Sequence, residues 1–492
     1  MRKMKQWLSL LLCMVLAVSL LSACGTKKEE AATNTPADTS TTEKDNSQAE
    51  PTKAAENAEK MQLTLGIWPE DTLTADIELH KGYVATFNAT HPNVEVVPAY
   101  YKYATDTFVP LAESGNLPVI FESWYTEPQK LINGGFVADI TDILEERGWT
   151  EKINPSIREL LSKDGRIYGI PRDGYALGLM LNVELFEQAG LVDANGIPMY
   201  PKTWAELAET AKKIKDATGA AGLCLLAKDN AGGWHFSNIA WAFGATLTLE
   251  ENGKFVANVD TAEAVAAMEY VKSLRWEYDV LTPDPTNEDW GSGFVNLGTG
   301  AAAMYIGAND AVNQPTQVNG LAVDKLSMCA LPAGPGGAQY SLSGGTPYMF
   351  SKNATPEQIN AALDYLEIMG KAPVATDDAI AGMRADAQNR VANGVPVIPR
   401  FPCWIAEDVL AAENEIVEEF GNVDTKLYDN YFNALKTEGN LRLEEVGSAQ
   451  DLYAELTKVL QAVITDKNAN VAELMKTADT NYQTILDNTV NK

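Results

Sequence analysis

From Gln62 onward the apolar residues fall into short runs separated by polar, turn-forming clusters. Leu63, Leu65 and Ile67 alternate with smaller residues, a period-2 strand that Trp68-Pro69-Glu70-Asp71 ends. A helical pattern through Tyr83 and Phe87 follows and stops at His91-Pro92. Val94 to Val97 is the next strand, a short helix or loop leads to Gly115, and Val119 to Phe121 is the third strand. Strands alternating with helices predict a parallel sheet with right-handed crossovers. Ligands of such sheets bind beyond the carboxyl ends of the strands, which here carry Trp68 and Glu70, then Glu122 and Trp124.

The stretch from Asp164 to Leu191 breaks this rhythm. Asp164-Gly165 is a turn, Arg166 to Ile170 a strand stopped by Pro171, and Tyr175 to Leu181 a second apolar run, after which Asn182 caps a short helix ending at Gly190. Two strands thus meet at Arg172-Asp173-Gly174 with no helix between them, the pattern of a crossing between two domains. A second crossing is predicted where Gly344-Gly345 opens the strand through Tyr348 to Phe350. Helices are signalled by Thr203 with Glu206, by Asp260 with Glu263, and by Thr355-Pro356 with Gln358. Strands are expected at Cys224 to Ala227, Ala301 to Ile306 and Met328 to Leu331, and a loop at Asp229 to Phe236 holding Trp234. Beyond Ala372 the chain reads as largely helical, interrupted between Pro396 and Pro402, with Trp404 just after.

At 492 residues the chain is too long for one ordinary core. Its start stands apart. Arg2, Lys3 and Lys5 precede an apolar run from Trp7 to Leu21, with Ser22 and Ala23 before Cys24, as in a secretory signal peptide. Leu21-Ser22-Ala23-Cys24-Gly25 resembles the bacterial lipobox, in which the cysteine is lipidated and becomes the first mature residue. Residues 24–60 hold almost no large apolar side chain and read as a flexible tether. The formal charge of −29 repels nucleic acid and anionic lipid. Three cysteines remain beyond these segments, Cys224, Cys329 and Cys403, without a Cys-x-x-Cys, and are expected as buried free thiols.

Catalytic chemistry has little to build on. His80, His91 and His235 lie far apart, no phosphate-cradling or nucleophile-elbow motif occurs, and Asp193-Ala194-Asn195-Gly196 lacks the later glutamate of a calcium loop. No metal or cofactor is expected. Aromatic and acidic residues in loops remain: Trp68, Trp124, Trp234, Trp290 and Trp404 near element ends, with Glu70, Glu122, Asp173 and Asp310. A sugar packs its C–H face on an indole and satisfies its hydroxyls with carboxylates, so a sugar site needs both residue types. Partial burial at a lobe surface would account for the same tryptophans, and solvation for the same carboxylates.

In Asp164-Gly165-Arg166-Ile167-Tyr168-Gly169-Ile170-Pro171, Leu181-Asn182-x-x-Leu185-Phe186-x-x-Ala189-Gly190 and Pro201-x-Thr203-Trp204-x-Glu206-Leu207 the chain resembles the extracellular solute-binding lipoproteins of bacterial ABC importers, the sugar-binding family of maltose-binding-protein type. Gly300 to Tyr305, Leu331-Pro332-x-Gly334-Pro335 and the Gly344-Gly345 strand continue it in order, from about Gln62 to Gly370. Two positions depart from the family pattern: Pro118-Val119 stands where Pro-Asp is usual, and Gly307-Ala308-Asn309-Asp310 where a tryptophan is common.

The resemblance implies an α/β, two-lobe periplasmic-binding-protein-like fold of type II, each lobe a mostly parallel sheet flanked by helices, joined by a hinge. Residues 1–23 would be the lipoprotein signal peptide, 24–60 the tether, 61–172 with 343–385 lobe I, and 173–342 with 386–492 lobe II. By position, Trp68, Glu70, Glu122, Trp124, Asp173, Tyr175, Trp234, Asn309, Asp310, Gly345, Tyr348 and Trp404 would converge on the ligand. The function implied is that of a monomeric receptor, held on the outer face of the cytoplasmic membrane by lipidated Cys24, that delivers a mono- or oligosaccharide to ABC permease subunits and performs no bond chemistry. The sequence leaves a secreted glycoside hydrolase and a binder of another solute, such as a peptide or polyamine, as the alternatives.

Overall fold

The computed structural model describes residues 60–437 and 439–491. The leader, Cys24 and the tether up to residue 59 lie outside them. In the first lobe, β1 (Met61–Leu65) runs parallel to β2 (Val94–Pro98) and β3 (Ile120–Glu122). Leu63 and Leu65 are fully buried, as their alternation predicts. Helix α1 (Thr74–Thr90) covers the sheet with Tyr83 and Phe87. The same core takes in Leu144, Trp149 and Ile170, and later Phe350 and Leu366.

The crossing strand β4 (Gly169–Asn182) does not stop at Pro171. It continues through Arg172-Asp173-Gly174 as a 14-residue strand. The proline is tolerated because it faces another one: in the antiparallel pairing with β8 (Ser341–Phe350), Pro171 opposes Pro347, and the register skips Arg172 before Asp173 opposes Thr346. Arg172 is therefore the extra residue of a β-bulge, a feature that re-aims the side chain it carries.

Beyond the crossing, β4 pairs with β6 (Ala302–Ala308) on one side and β7 (Leu326–Cys329) on the other, while β5 (Ala221–Cys224) lies parallel to β6. The whole is one nine-stranded sheet in which β8 also joins β3, with β7 branching from β4 and β9 (Leu441–Leu443) running parallel to β8 off the main path. Alternation along β4 splits the second-lobe core in two. Leu177, Leu179 and Leu181 enter the larger part, Ala176 and Met180 the smaller.

Local capping explains most helix starts. Asn182 accepts from the Leu185 amide, Thr203 from the Glu206 amide at the head of α2 (Trp204–Thr218), and Thr355 and Gln358 form a reciprocal capping box. The helix expected to be capped by Asp260 is capped by Thr261, whose extended backbone aims its hydroxyl at the Ala264 amide. The expected loop around Trp234 is helix α3 (Ala231–Ala242). Its two glycines fooled a local reading because they serve close helix packing: α9 (Ala449–Thr465) lies against them, and a Cβ on Gly233 would sit 2.2 Å from the Tyr453 carbonyl oxygen.

The C-terminal portion holds helices α7 (Asp377–Ala392) and α8 (Glu407–Phe420), so position 385 falls inside a helix. Between them the chain dips back into the first-lobe core with Cys403 and Trp404. Cys224, Cys329 and Cys403 are buried free thiols, as expected. Among the described residues no helix is long and apolar enough to cross a membrane.

Candidate functional site

A cavity of about 160 Å³ lies on the crossing strands, floored by Arg172, Asp173 and Gly174. Asn309 and Asp310, just past the end of β6, come from the second lobe; Lys371, after α6 (Pro356–Ile368), comes from the first. The wall is made by α7, α8 and the segment between them, through Asp386, Arg390 and Arg400. Met383, Ile398, Phe401, Trp404 and Leu410 add apolar surface. A Cβ on Gly174 would come within 2.5 Å of the Phe401 ring, so glycine is what lets that segment lie directly on the floor.

Paired charges dominate the lining. The Arg172 guanidinium donates to Glu122 Oε2 at 2.8 Å and to Asp173 Oδ2 at 2.6 Å. Burial opposes its charge, but Asp173 and Glu122 outweigh burial and hold it protonated. Asp173 Oδ1 accepts from the Thr346 amide of the other crossing strand at 3.2 Å, tying the two strands together. Asp386 accepts from Arg400 at 2.7 Å and from Arg390 at 3.3 Å. Burial would raise its pKa, yet Arg390, Arg400 and Lys371 override that and hold it well below the usual carboxylate range.

Of the residues singled out from sequence, Asp173, Asn309, Asp310 and Trp404 meet at this cavity. Asn309 Oδ1 is engaged by the Ala176 amide at 3.3 Å and the Tyr431 hydroxyl at 2.8 Å. Glu122 reaches the site through Arg172. Tyr175 and Trp234 meet edge to face at 6.1 Å on the other side of the floor, where Trp234 also meets Trp290 at 5.2 Å. Gly345 lies under Tyr125, and Tyr348 is buried in the first-lobe core. Trp68 packs edge-on against His80 at 5.3 Å, Glu70 is exposed, and Trp124 is exposed beside Tyr103. A polar link also joins the lobes: Gln450 donates to Thr126 Oγ1 at 3.3 Å and accepts from Asn230 at 3.0 Å.

Sequence reasoning missed Lys371, Asp386, Arg390 and Arg400. The Asp386–Arg390 spacing of four and the proline-rich interruption around Arg400 were the available signals, hidden because the region reads only as a helical tail.

Two carboxyl groups sit on the high side. Burial, then the neighbouring Asp173, pushes Asp310 up to about 7, and burial, against the Tyr453 hydroxyl bond, pushes Glu444 up to about 7 with Glu127 adding repulsion. A raised carboxyl favours the protonated folded form, so its stabilising contribution is complete below the ordinary range near about 4 and is lost as pH rises through about 7. Denaturant midpoints should therefore fall between about pH 4 and 7 more steeply in the native chain than in an Asp310→Asn, Glu444→Gln double variant. Parallel profiles would sink this assignment.

Two α/β lobes joined by side-by-side crossing strands, with a polar cavity on those strands, define a hinged solute receptor. The model of the family "bacterial extracellular solute-binding protein" matches residues 72–374, and the chain belongs to that family. A binding protein of Brucella abortus is 26% identical over 319 residues, covering 63% of this chain and 72% of that one. The diacetylchitobiose-binding protein DasA of Streptomyces coelicolor is 26% identical over 176 residues, 35% of this chain and 37% of its own. Maltose-bound MalE3 of T. maritima superposes with a TM-score of 0.65 at 20% identity, covering 87% of this chain and 99% of that one. UgpB of Mycobacterium tuberculosis, in complex with glycerophosphocholine, gives 0.66 at 16% identity, with coverage of 88% and 100%. These structural likenesses establish the fold. Proteins of this extracellular family act outside the cytoplasm as the solute-binding components of ABC importers.

Proposed function

We propose that this chain captures a small carbohydrate in the cavity on the crossing strands and delivers it to ABC permease subunits, anchored to the membrane by lipidated Cys24. The observation that carries the ligand class is the mixture in the lining: charge-paired Asp173, Arg172 and Asp386 for hydroxyl groups, beside Phe401 and Trp404 for the C–H face of a ring. The volume of about 160 Å³ is below the roughly 300–1,000 Å³ of ordinary ligand clefts, which favours a solute of about one ring over an oligosaccharide. Family membership, the diacetylchitobiose of DasA and the maltose of MalE3 support the same class. Function on this reading is differential affinity for the closed arrangement of the lobes.

The leaderless chain should gain thermal stability with its solute by mass action, about 2.7 kcal/mol at a hundredfold excess over Kd. A thermal-shift screen of mono- and disaccharides and their derivatives tests this. Stabilisation by peptides or polyamines alone would overturn the carbohydrate reading, and turnover of chromogenic glycosides would overturn the receptor reading.

A further inference from the structure

The charged groups lining the cavity are not equally occupied. Arg172 is held by Glu122 and Asp173, and Arg390 and Arg400 by Asp386. Among the described residues the Lys371 ammonium has neither a hydrogen bond nor an ion pair, although its side chain lines the same cavity. Its neighbours are the Arg400, Arg390 and Arg172 guanidinia, with Asp386 the nearby counter-charge, already shared by two arginines. Arg400, then burial, lowers the Lys371 pKa to about 8, so the ammonium is short of negative charge where it stands. Lys371 is half-buried, and an unpaired charge so placed is stabilised by an opposite charge that reaches it.

The second lobe presents a complementary vacancy. Asp310 Oδ1 is buried without a hydrogen-bond partner, and burial keeps this carboxyl largely protonated below pH 7, hence a donor. Of the acceptors in the lining, Asp173 is engaged by Arg172 and the Thr346 amide and Asn309 Oδ1 by the Ala176 amide and Tyr431, while Glu413 faces Arg400 only at 3.9 Å. Lys371 in the first lobe and Asp310 in the second are thus left able to donate to a ligand in the cavity.

We propose that the solute carries an anionic group, a carboxylate or a phosphate, bound in this cavity with Lys371 of the first lobe as its counter-ion and Asp310 of the second lobe as a further hydrogen-bond partner. One anionic group then bridges the lobes, so binding and closure are coupled through it. The inference rests on the cavity being the solute site, and it narrows the carbohydrate to an acidic one.

Matched neutral and charged solutes test it by thermal shift and calorimetric titration on the leaderless chain: glucose against glucuronate, and glycerol against sn-glycerol 3-phosphate. The charged member of one pair should stabilise the protein by several degrees while its neutral partner does not, and the responding pair tells carboxylate from phosphate. Lys371→Met should lower that affinity about tenfold or more without lowering the melting temperature of the ligand-free chain, since it removes an unpaired charge. A neutral sugar that stabilises as strongly as its acid would overturn the inference and leave the receptor reading standing. Unchanged affinity of the charged solute for Lys371→Met would overturn it as well. Silence from every solute tested would count against the cavity as the solute site, and the inference would fall with it.

Discussion

Replacing Asp386 by Asn should destabilise the protein by about 2–3 kcal/mol at neutral pH. The carboxylate is the shared partner of Arg390 and Arg400, with Lys371 close by, so its removal leaves three cations facing one another around the cavity. The expected loss is below that of a fully enclosed pair because the Asp386 side chain keeps 23% of its exposure. The pH dependence is diagnostic. A carboxylate whose folded pKa is depressed contributes stability above its unfolded value near about 4, and that contribution disappears as pH falls through the folded value. Native and Asp386→Asn chains should therefore differ in urea midpoint at pH 7 and converge in acid. An equal difference at both ends of the range would mean that the side chain acts through packing and not through charge.

The second large effect is steric. Gly233→Ala places a methyl group 2.2 Å from the Tyr453 oxygen and 2.5 Å from its Cα, backbone atoms of α9 that cannot swing aside. Thr457 Oγ1 also accepts from the Gly233 amide at 2.8 Å, so the two helices are pinned at this contact. Forcing them apart should cost about 3 kcal/mol. Gly336→Ala, where a Cβ meets nothing within 4 Å, is the control and should be close to neutral. Equal denaturation midpoints for the two variants would show that α3 and α9 are not in such contact.

Legibility followed the range of the interactions. Capping by Asn182, Thr203 and Thr355 was readable because donor and acceptor lie three residues apart. The strand alternation at Leu63 and Leu65, and the role of residues 169–182 as a crossing, were readable for the same reason. Pro171 misled because its consequence depends on Pro347, far away in the chain. Gly232-Gly233 looked like loop chemistry and is helix packing, visible only once α9 is in place. Aromatic and acidic residues at strand ends pointed to Asp173, Asn309, Asp310 and Trp404, which share the cavity, and also to Tyr348, which closes a core. Lys371, Asp386 and Arg400 come from segments without a local signature, and only the return of the chain through Cys403 and Trp404 into the first lobe brings them together.

The facing prolines on the two crossing strands have a mechanical consequence. Neither Pro171 nor Pro347 has an amide hydrogen, so this rung of the ladder holds no donor, and the neighbouring bulge already leaves Arg172 outside the pairing. The ribbon is weakest in torsion there, between the side chains that clamp it, Arg172 to Glu122 on one side and Asp173 to Thr346 on the other. A rotation of one lobe against the other should concentrate at this rung, where neither facing residue can donate an amide to the opposite strand. Such a pivot would lie beneath the cavity floor, and the Gln450–Thr126 contact between the lobes would open with it.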